Sequence, residues 1–208
     1  VERMLRRVAM IDENLLVTSA SSSGREVEER FLHDEGAQAA APFVALNCAA
    51  IPSELLESEI FGHERGAFTG AAQRHEGVAE RAGAGTLFLD EVAELPPAFQ
   101  AKLLRLLQER SFRRVGGERD LPLRARVLAA TNADLTARMR EGRFREDLFF
   151  RLSVISIAMP PLCDRAADVL PLAHRFLGEF GQRFGRTPRG FSTLAEEALA
   201  GHNFPGNI

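Results

Sequence analysis

Gly85-Thr-Leu-Phe-Leu-Asp-Glu91 constrains this chain more than any other stretch. An unbroken apolar run reads as a strand buried on both faces, as in a parallel sheet covered by helices. It delivers Asp90 and Glu91 to the carboxyl edge, where such sheets bind ligands. Taken alone, the two carboxylates also read as a helix-capping Asp with a Glu in the first turn, because Leu95-Pro-Pro-Ala opens a helix soon after.

Four further apolar segments match the first: Leu15–Thr18, Pro42–Asn47, Arg126–Ala130 and Ser153–Ile157. Amphipathic stretches alternate with them. Residues 3–10 place Met4, Leu5 and Val8 at helical spacing; Val27 and Phe31 share a second face; Phe99, Leu103, Leu106 and Leu107 form a stripe over Pro97–Glu109. Strand and helix in alternation predict a three-layer α/β fold around a parallel five-stranded sheet. Between them, Phe112 to Leu123 is expected to form a hairpin turning near Gly116-Gly117, with its arginines on a solvated face beside Glu118 and Asp120. After Pro160-Pro161 a helix over about residues 168–184 is expected to bury Val169, Leu172, Ala173, Phe176, Leu177 and Phe180, and Leu194–Ala200 a last helix ending at Gly201.

Residues 54–71 run a short amphipathic helix into a glycine-bounded tip. Leu55, Leu56, Ile60 and Phe61 can share one face while Glu54, Glu57 and Glu59 stay wet, and Gly62 ends the helix. Gly66 and Gly70 then bracket Ala67-Phe-Thr69, so an aromatic ring sits at the apex of a turn whose backbone can take positive φ. Such a Phe is a binding device when exposed. It is a core residue when folded inward.

Composition narrows the function. With 208 residues, 45% of them apolar, the chain can bury one sizeable core and a small second one. A net charge of −3 gives no global basic footprint for DNA. Cys48 and Cys163 lack any metal-ligand spacing and read as reduced cysteines of a cytoplasmic protein. No run approaches the roughly 20 apolar residues of a membrane helix. The chain opens without Met and stops inside Phe204-Pro-Gly-Asn, as expected of a segment of a longer protein.

Strand, small-residue loop and helix recur at Leu15–Thr18, Ser19-Ala-Ser-Ser-Ser-Gly-Arg-Glu26 and Val27–Phe31, the context of a phosphate-binding loop. The working pattern is Gly-x-x-x-x-Gly-Lys-Ser/Thr. Here its positions fall on Ser19, Ala20, Ser21, Ser22, Ser23, Gly24, Arg25 and Glu26. Serine side chains oppose the close backbone approach that Gly permits, and the planar fork of Arg25 replaces a compact ammonium. A serine-rich capped turn without ligand fits these residues equally.

Gly66-Ala-Phe-Thr-Gly-Ala71, preceded by Glu57-Ser-Glu-Ile-Phe-Gly-His-Glu64, closely resembles the loop with which bacterial enhancer-binding proteins of the AAA+ class grip the sigma-54 form of RNA polymerase. The resemblance spans nearly the whole chain. It implies an AAA+ P-loop NTPase fold over residues 1–163, with the loop as an insertion, and a truncated helical lid over 164–208. It implies ATP and Mg²⁺ as ligands, with the phosphates at Ser19 to Glu26, Asp90 holding the metal through its water shell and Glu91 polarising the attacking water. Asn47 falls where the family places the residue that switches the catalytic Glu, Thr131 and Asn132 where it places the γ-phosphate sensors, and Arg145 and Arg151 where two arginines reach a neighbouring subunit's nucleotide.

By the same resemblance the module works as a ring, expected to be a hexamer. Gly66, Ala67, Phe68, Thr69, Gly70 and Ala71 would contact sigma-54 RNA polymerase holoenzyme, and ATP hydrolysis would remodel a closed promoter complex into an open one. DNA contact is left to domains outside this segment, and no membrane is involved. The departures are Ser19 and Ser22 for glycine, Arg25 for lysine, and Cys163 in a stretch the family often writes Leu-Arg-Glu-Arg. They leave a second reading open, a sigma-54-binding or ring-scaffold module that no longer binds ATP well, and with it the question of enzymatic activity. Without the resemblance, Asn47 and Thr131-Asn132 are ordinary turn formers, and Arg145 and Arg151 surface partners of Glu146 or Asp147.

Overall fold

A computed structural model describes residues 2–19, 25–205 and 207. The first half runs α1 (Glu2–Ala9), β1 (Leu15–Ser19), α2 (Arg25–Asp34), β2 (Phe43–Asn47), α3 (Ser53–Phe61), α4 (Val78–Arg81), β3 (Thr86–Asp90) and α5 (Pro97–Glu109). The second runs β4 (Ser111–Phe112), β5 (Leu121–Pro122), β6 (Arg126–Thr131), α6 (Leu135–Arg140), α7 (Glu146–Leu152), β7 (Ile155–Met159), α8 (Val169–Arg183) and α9 (Thr193–Ala200). The strands form a five-stranded sheet in the order β2-β3-β6-β1-β7. The chain divides into two compact units, the larger ending at Ala158 and the smaller starting again at Met159. The boundary expected between residues 163 and 164 falls within the 3-10 segment Leu162–Asp168.

The expected parallel pairing is present. β3 lies between β2 and β6, with Asn47 opposite Asp90 and Ala129 opposite Leu89, and β6 continues to β1 with Thr131 opposite Thr18. Every residue of β6 is buried, and in β3 only Asp90 is partly exposed. Leu103, Leu106 and Leu107 of α5 complete the core against Leu87, Leu89 and Leu148. Arg126, at the start of β6, is buried and donates to the carbonyls of Val8 and Ala9, closing the C-terminal end of α1. These are carbonyls a helix end leaves unpaired.

Several expectations are corrected. Leu55 is 43% exposed, while Leu56, Ile60 and Phe61 are buried with Ser58, so the apolar stripe of α3 is one residue narrower than its composition suggests. Met4 is likewise exposed, and Leu5 and Ala9 form the buried face of α1. β7 begins two residues later than expected, because Ser153 still ends α7 by donating its N–H to Phe149. In the smaller unit Phe180 is exposed, stacked on Phe184 and tilted against Phe176 along α8. There α8 and α9 are joined by His174, which meets Glu196 at 3.3 Å and Phe191 edge-on, and Ser192 caps α9 by accepting the Ala195 N–H.

His33 of α2 is buried against the sheet, with Nδ1 2.9 Å from Thr86 Oγ1 and its ring tilted on Phe43. Burial holds its pKa below the usual 6.5, against a smaller opposing pull from Asp34. Below about pH 6.5 the unfolded chain binds a proton here that the folded chain does not, so stability falls as pH drops through that value. Urea unfolding between pH 7.5 and 5.5 should show this loss, and a His33→Gln variant should flatten that part of the profile.

Candidate functional site

The C-terminal ends of β2, β3 and β6 converge on the two carboxylates. Asn47 Nδ2 donates to Asp90 Oδ2 at 3.0 Å, and its Oδ1 accepts the N–H groups of Ala49 and Ala50, so the amide ties the end of β2 to the end of β3. Asp90 Oδ1 accepts the Glu91 N–H at 2.9 Å. Glu91 itself has φ 53° and ψ 48°, a left-handed conformation uncommon for a residue with a Cβ. It opens a short 3-10 turn at Val92–Glu94 and its carboxylate takes the Asn132 N–H at 3.3 Å. Thr131 is buried, with Oγ1 accepting the Ala133 N–H, and Asp134 caps α6 by accepting from Ala137.

The family resemblance implies that Asn47 switches Glu91; the hydrogen bond here joins it to Asp90. The capping alternative for Asp90 fails, since Glu91 and not Asp90 precedes the 3-10 turn. The carboxylates set the local field. Cys48, buried beside them, has its thiol pushed up to about 12, chiefly by burial and further by Asp90 and Glu91. Hard, partly exposed oxygen donors such as these suit a hydrated Mg²⁺. Among the described residues no cluster of three or more His, Cys, Asp or Glu could enclose a metal on its own.

Of the expected phosphate loop, Ser19 ends β1 with its buried hydroxyl lacking a hydrogen-bond partner among the described residues. Ala20, Ser21, Ser22, Ser23 and Gly24 lie outside the described residues, as do the side chains of Arg25 and Glu26 at the start of α2. Arg145 and Arg151 do not join the carboxylates. Arg145 is exposed and pairs with Asp147 at 2.8 Å, which holds the Asp147 carboxyl below the usual range. Arg151 donates to the Leu107 carbonyl at the end of α5 and lines a hollow of about 160 Å³ with Asp12, Asn14, Arg110 and Arg126. Asn14 and Arg126 lie at the amino ends of β1 and β6, so this hollow is at the opposite edge of the sheet from Asp90 and Glu91.

The Phe68 loop is the second half of the site. Its tip closes on itself: Gly66 N–H donates to Ala71 at 2.8 Å and Ala71 N–H to Phe68 at 3.0 Å, with Gly66 and Gly70 at φ 81° and 105°. Phe68 is 41% exposed and outside the core, its ring meeting His63 edge-on at 4.9 Å. Below the tip, His63 and His75 exchange both backbone hydrogen bonds, at 3.0 and 2.9 Å. Val115 of the β4–β5 connection adds a third backbone, accepting from Glu64 and donating to Gly62. Gly62 (φ 78°) and Gly77 face each other so closely that a Cβ on Gly77 would lie 2.3 Å from the Gly62 nitrogen.

Arg114 locks this neck. It is 8% exposed, not on a solvated face as expected, and donates to Glu80 at 2.6 and 3.0 Å and to Glu64 at 2.6 Å. Glu80, first, and Glu64 raise the Arg114 pKa, keeping the guanidinium charged. Its neighbour Arg113 behaves as expected, pairing with Asp120 on the surface. Sequence reasoning missed Arg114, Glu80 and the His63–His75 pair. The mirrored order Gly62-His63 and His75-Glu76-Gly77 was the signal that could have found the histidines.

A five-stranded parallel sheet with paired carboxylates at its carboxyl edge, followed by a helical unit, defines an AAA+ P-loop NTPase fold with a lid. The chain belongs to the sigma-54 interaction domain family, whose model matches residues 1–158, and residues 163–208 match the AAA+ ATPase lid domain. It is 48% identical over 204 residues to the Nif-specific regulatory protein of Azotobacter vinelandii, covering 98% of this chain and 39% of that one. To the regulatory protein AtoC of Escherichia coli K12 it is 46% identical over 202 residues, covering 97% and 44%. The crystal structure of NtrX from Brucella abortus superposes with a TM-score of 0.89 at 36% identity, over 99% of this chain and 46% of that one. NtrX in complex with ATP gives 0.87. The chain thus spans less than half the length of these relatives.

Arg114→Met should remove the cation that Glu64 and Glu80 share, leaving Glu80 only its longer pairing with Arg74 at 3.5 Å. Losing these charged hydrogen bonds should cost about 1–3 kcal/mol, and amide exchange at residues 62–64 and 113–115 should accelerate more than in β3.

Proposed function

We propose that this chain is the mechanochemical module of a sigma-54-dependent transcriptional activator. Nucleotide at the carboxyl edge of the sheet sets the position of the Phe68 loop, which acts on the sigma-54 RNA polymerase closed complex. The observation that carries this reading is Phe68 itself, half exposed on a self-closed tip whose neck is locked by Arg114. ATP and Mg²⁺, when bound, supply the phosphoryl transfer whose free energy drives the change. Asp90, tethered by Asn47, would hold the metal through water. Glu91, oriented by the Asn132 N–H, would accept the proton of the attacking water, and Thr131 and Asn132 would report on the γ-phosphate from the end of β6.

The placement of Arg151 at the opposite sheet edge supports a ring in which it and Arg145 act on a neighbour's nucleotide. Mixing Arg151→Ala chains with Glu91→Gln chains should recover turnover at intermediate ratios; no recovery at any ratio would sink the shared site. Phe68→Ala should abolish open-complex formation while leaving ATPase unchanged.

A second reading, a sigma-54-binding or ring-scaffold module with impaired catalysis, is favoured by Ser19, Ser22 and Arg25 in the phosphate loop. Titration calorimetry decides. On this second reading ATP binding by this chain is weak or absent, and is recovered with turnover in the combined variant Ser19→Gly, Ser22→Gly, Arg25→Lys. Tight binding by the unaltered chain would refute it.

A further inference from the structure

We propose that His63 is the positioning residue for Phe68, its imidazole serving as the seat that holds the aromatic tip in one outward orientation. The inference rests on Phe68 being the sigma-54 contact. The geometry is specific to the ring. Ser58, on the last turns of α3, places Oγ 2.7 Å from His63 Nδ1, which fixes the imidazole plane. His75 backs the other side, its ring 5.5 Å away and nearly parallel, with Glu59 3.8 Å from its Nε2. The backbone of His63 is pinned between His75 and, through its neighbours, Val115. The only aromatic contact of Phe68 among the described residues is therefore with a ring restrained by Ser58 and His75.

An edge-on aromatic contact of this kind is modest, yet it selects one rotamer for a side chain on a tip flanked by Gly66 and Gly70. Binding by a ring already aimed loses less conformational freedom than binding by a free one. His63 thereby links the helix α3, through Ser58, to the orientation of the tip. No substitution of the tip residues themselves would show this link.

The chain has no Trp and no Tyr, so Phe68→Trp gives a single indole at the tip. Acrylamide quenching and fluorescence anisotropy of Phe68→Trp are compared in chains carrying His63, His63→Ala and His63→Phe. With the seat removed, quenching should rise about two-fold or more and anisotropy fall, and His63→Phe, which keeps a ring but cannot bond Ser58, should restore most of the difference. Equal quenching with His63 and His63→Ala, both folded by circular dichroism, overturns the proposal; so does failure of His63→Phe to rescue, which marks a merely structural histidine. If His63→Ala does not fold, His63→Leu, which also lacks a ring, carries the same comparison: increased quenching supports the seat and unchanged quenching overturns it. In the parallel arm, with Phe68 intact, His63→Ala should weaken binding to purified sigma-54 roughly two- to ten-fold. Absence of sigma-54 binding by the unaltered chain, alongside a positive fluorescence result, sinks the reading of the partner and leaves the seat standing.

Discussion

The pairing register of β3 is the constraint on which the rest of the molecule depends. With Asn47 opposite Asp90 on one side and Ala129 opposite Leu89 on the other, the strand leaves the sheet at one point only. A slip of one residue toward the interior would draw the Asp90 carboxylate into a fully buried ladder, at a cost of several kcal/mol for a desolvated charge. The Asn47 bond to Asp90 belongs to the observed register, and the left-handed turn at Glu91 comes immediately after it. Strain at such a position persists where the surroundings over-determine it. Here those surroundings are two parallel neighbours and the Asn132 N–H.

The neck of the Phe68 loop is built on a different principle. It has few apolar residues to bury, and is held by polar groups contributed from segments distant in sequence: Glu64, Glu80 and Arg114. A buried ion pair is weak support for stability as such, because desolvation offsets much of the attraction. Its value lies in specificity. Arg114 has two good carboxylate partners in one arrangement, so the β4–β5 connection and both arms of the loop are fixed in a single register.

How much of this was legible in the sequence follows from range. Local periodicity found all five strands of the sheet and helices α1, α2, α3 and α5 among them, though not α4 or α7, because Leu87 to Leu89 and Leu103 to Leu107 carry their burial in their own spacing. It failed where a neighbour decides. Leu55 and Phe180 are apolar and correctly spaced yet face outward, and Ser153 belongs to the end of a helix and not to the start of a strand. The site divides in the same way. Contiguous motifs gave Asp90, Glu91 and the Phe68 tip, whereas Arg114, 34 residues from Glu80 and 50 from Glu64, had no local signature. One arginine in Phe112-Arg-Arg-Val is on the surface and the other is buried, and only the partners distinguish them.

At Gly62 and Gly77 the two arms of the loop meet main chain to main chain, with no room for a methyl group between them. Side chains are the compliant part of a packed interior, able to change rotamer under load, and this waist has none. At this contact a force on the aromatic tip passes to α3 and α4 through peptide planes, beside the Arg114 ion pairs that hold the same neck. The waist is a fulcrum: it carries torque from tip to body without absorbing it.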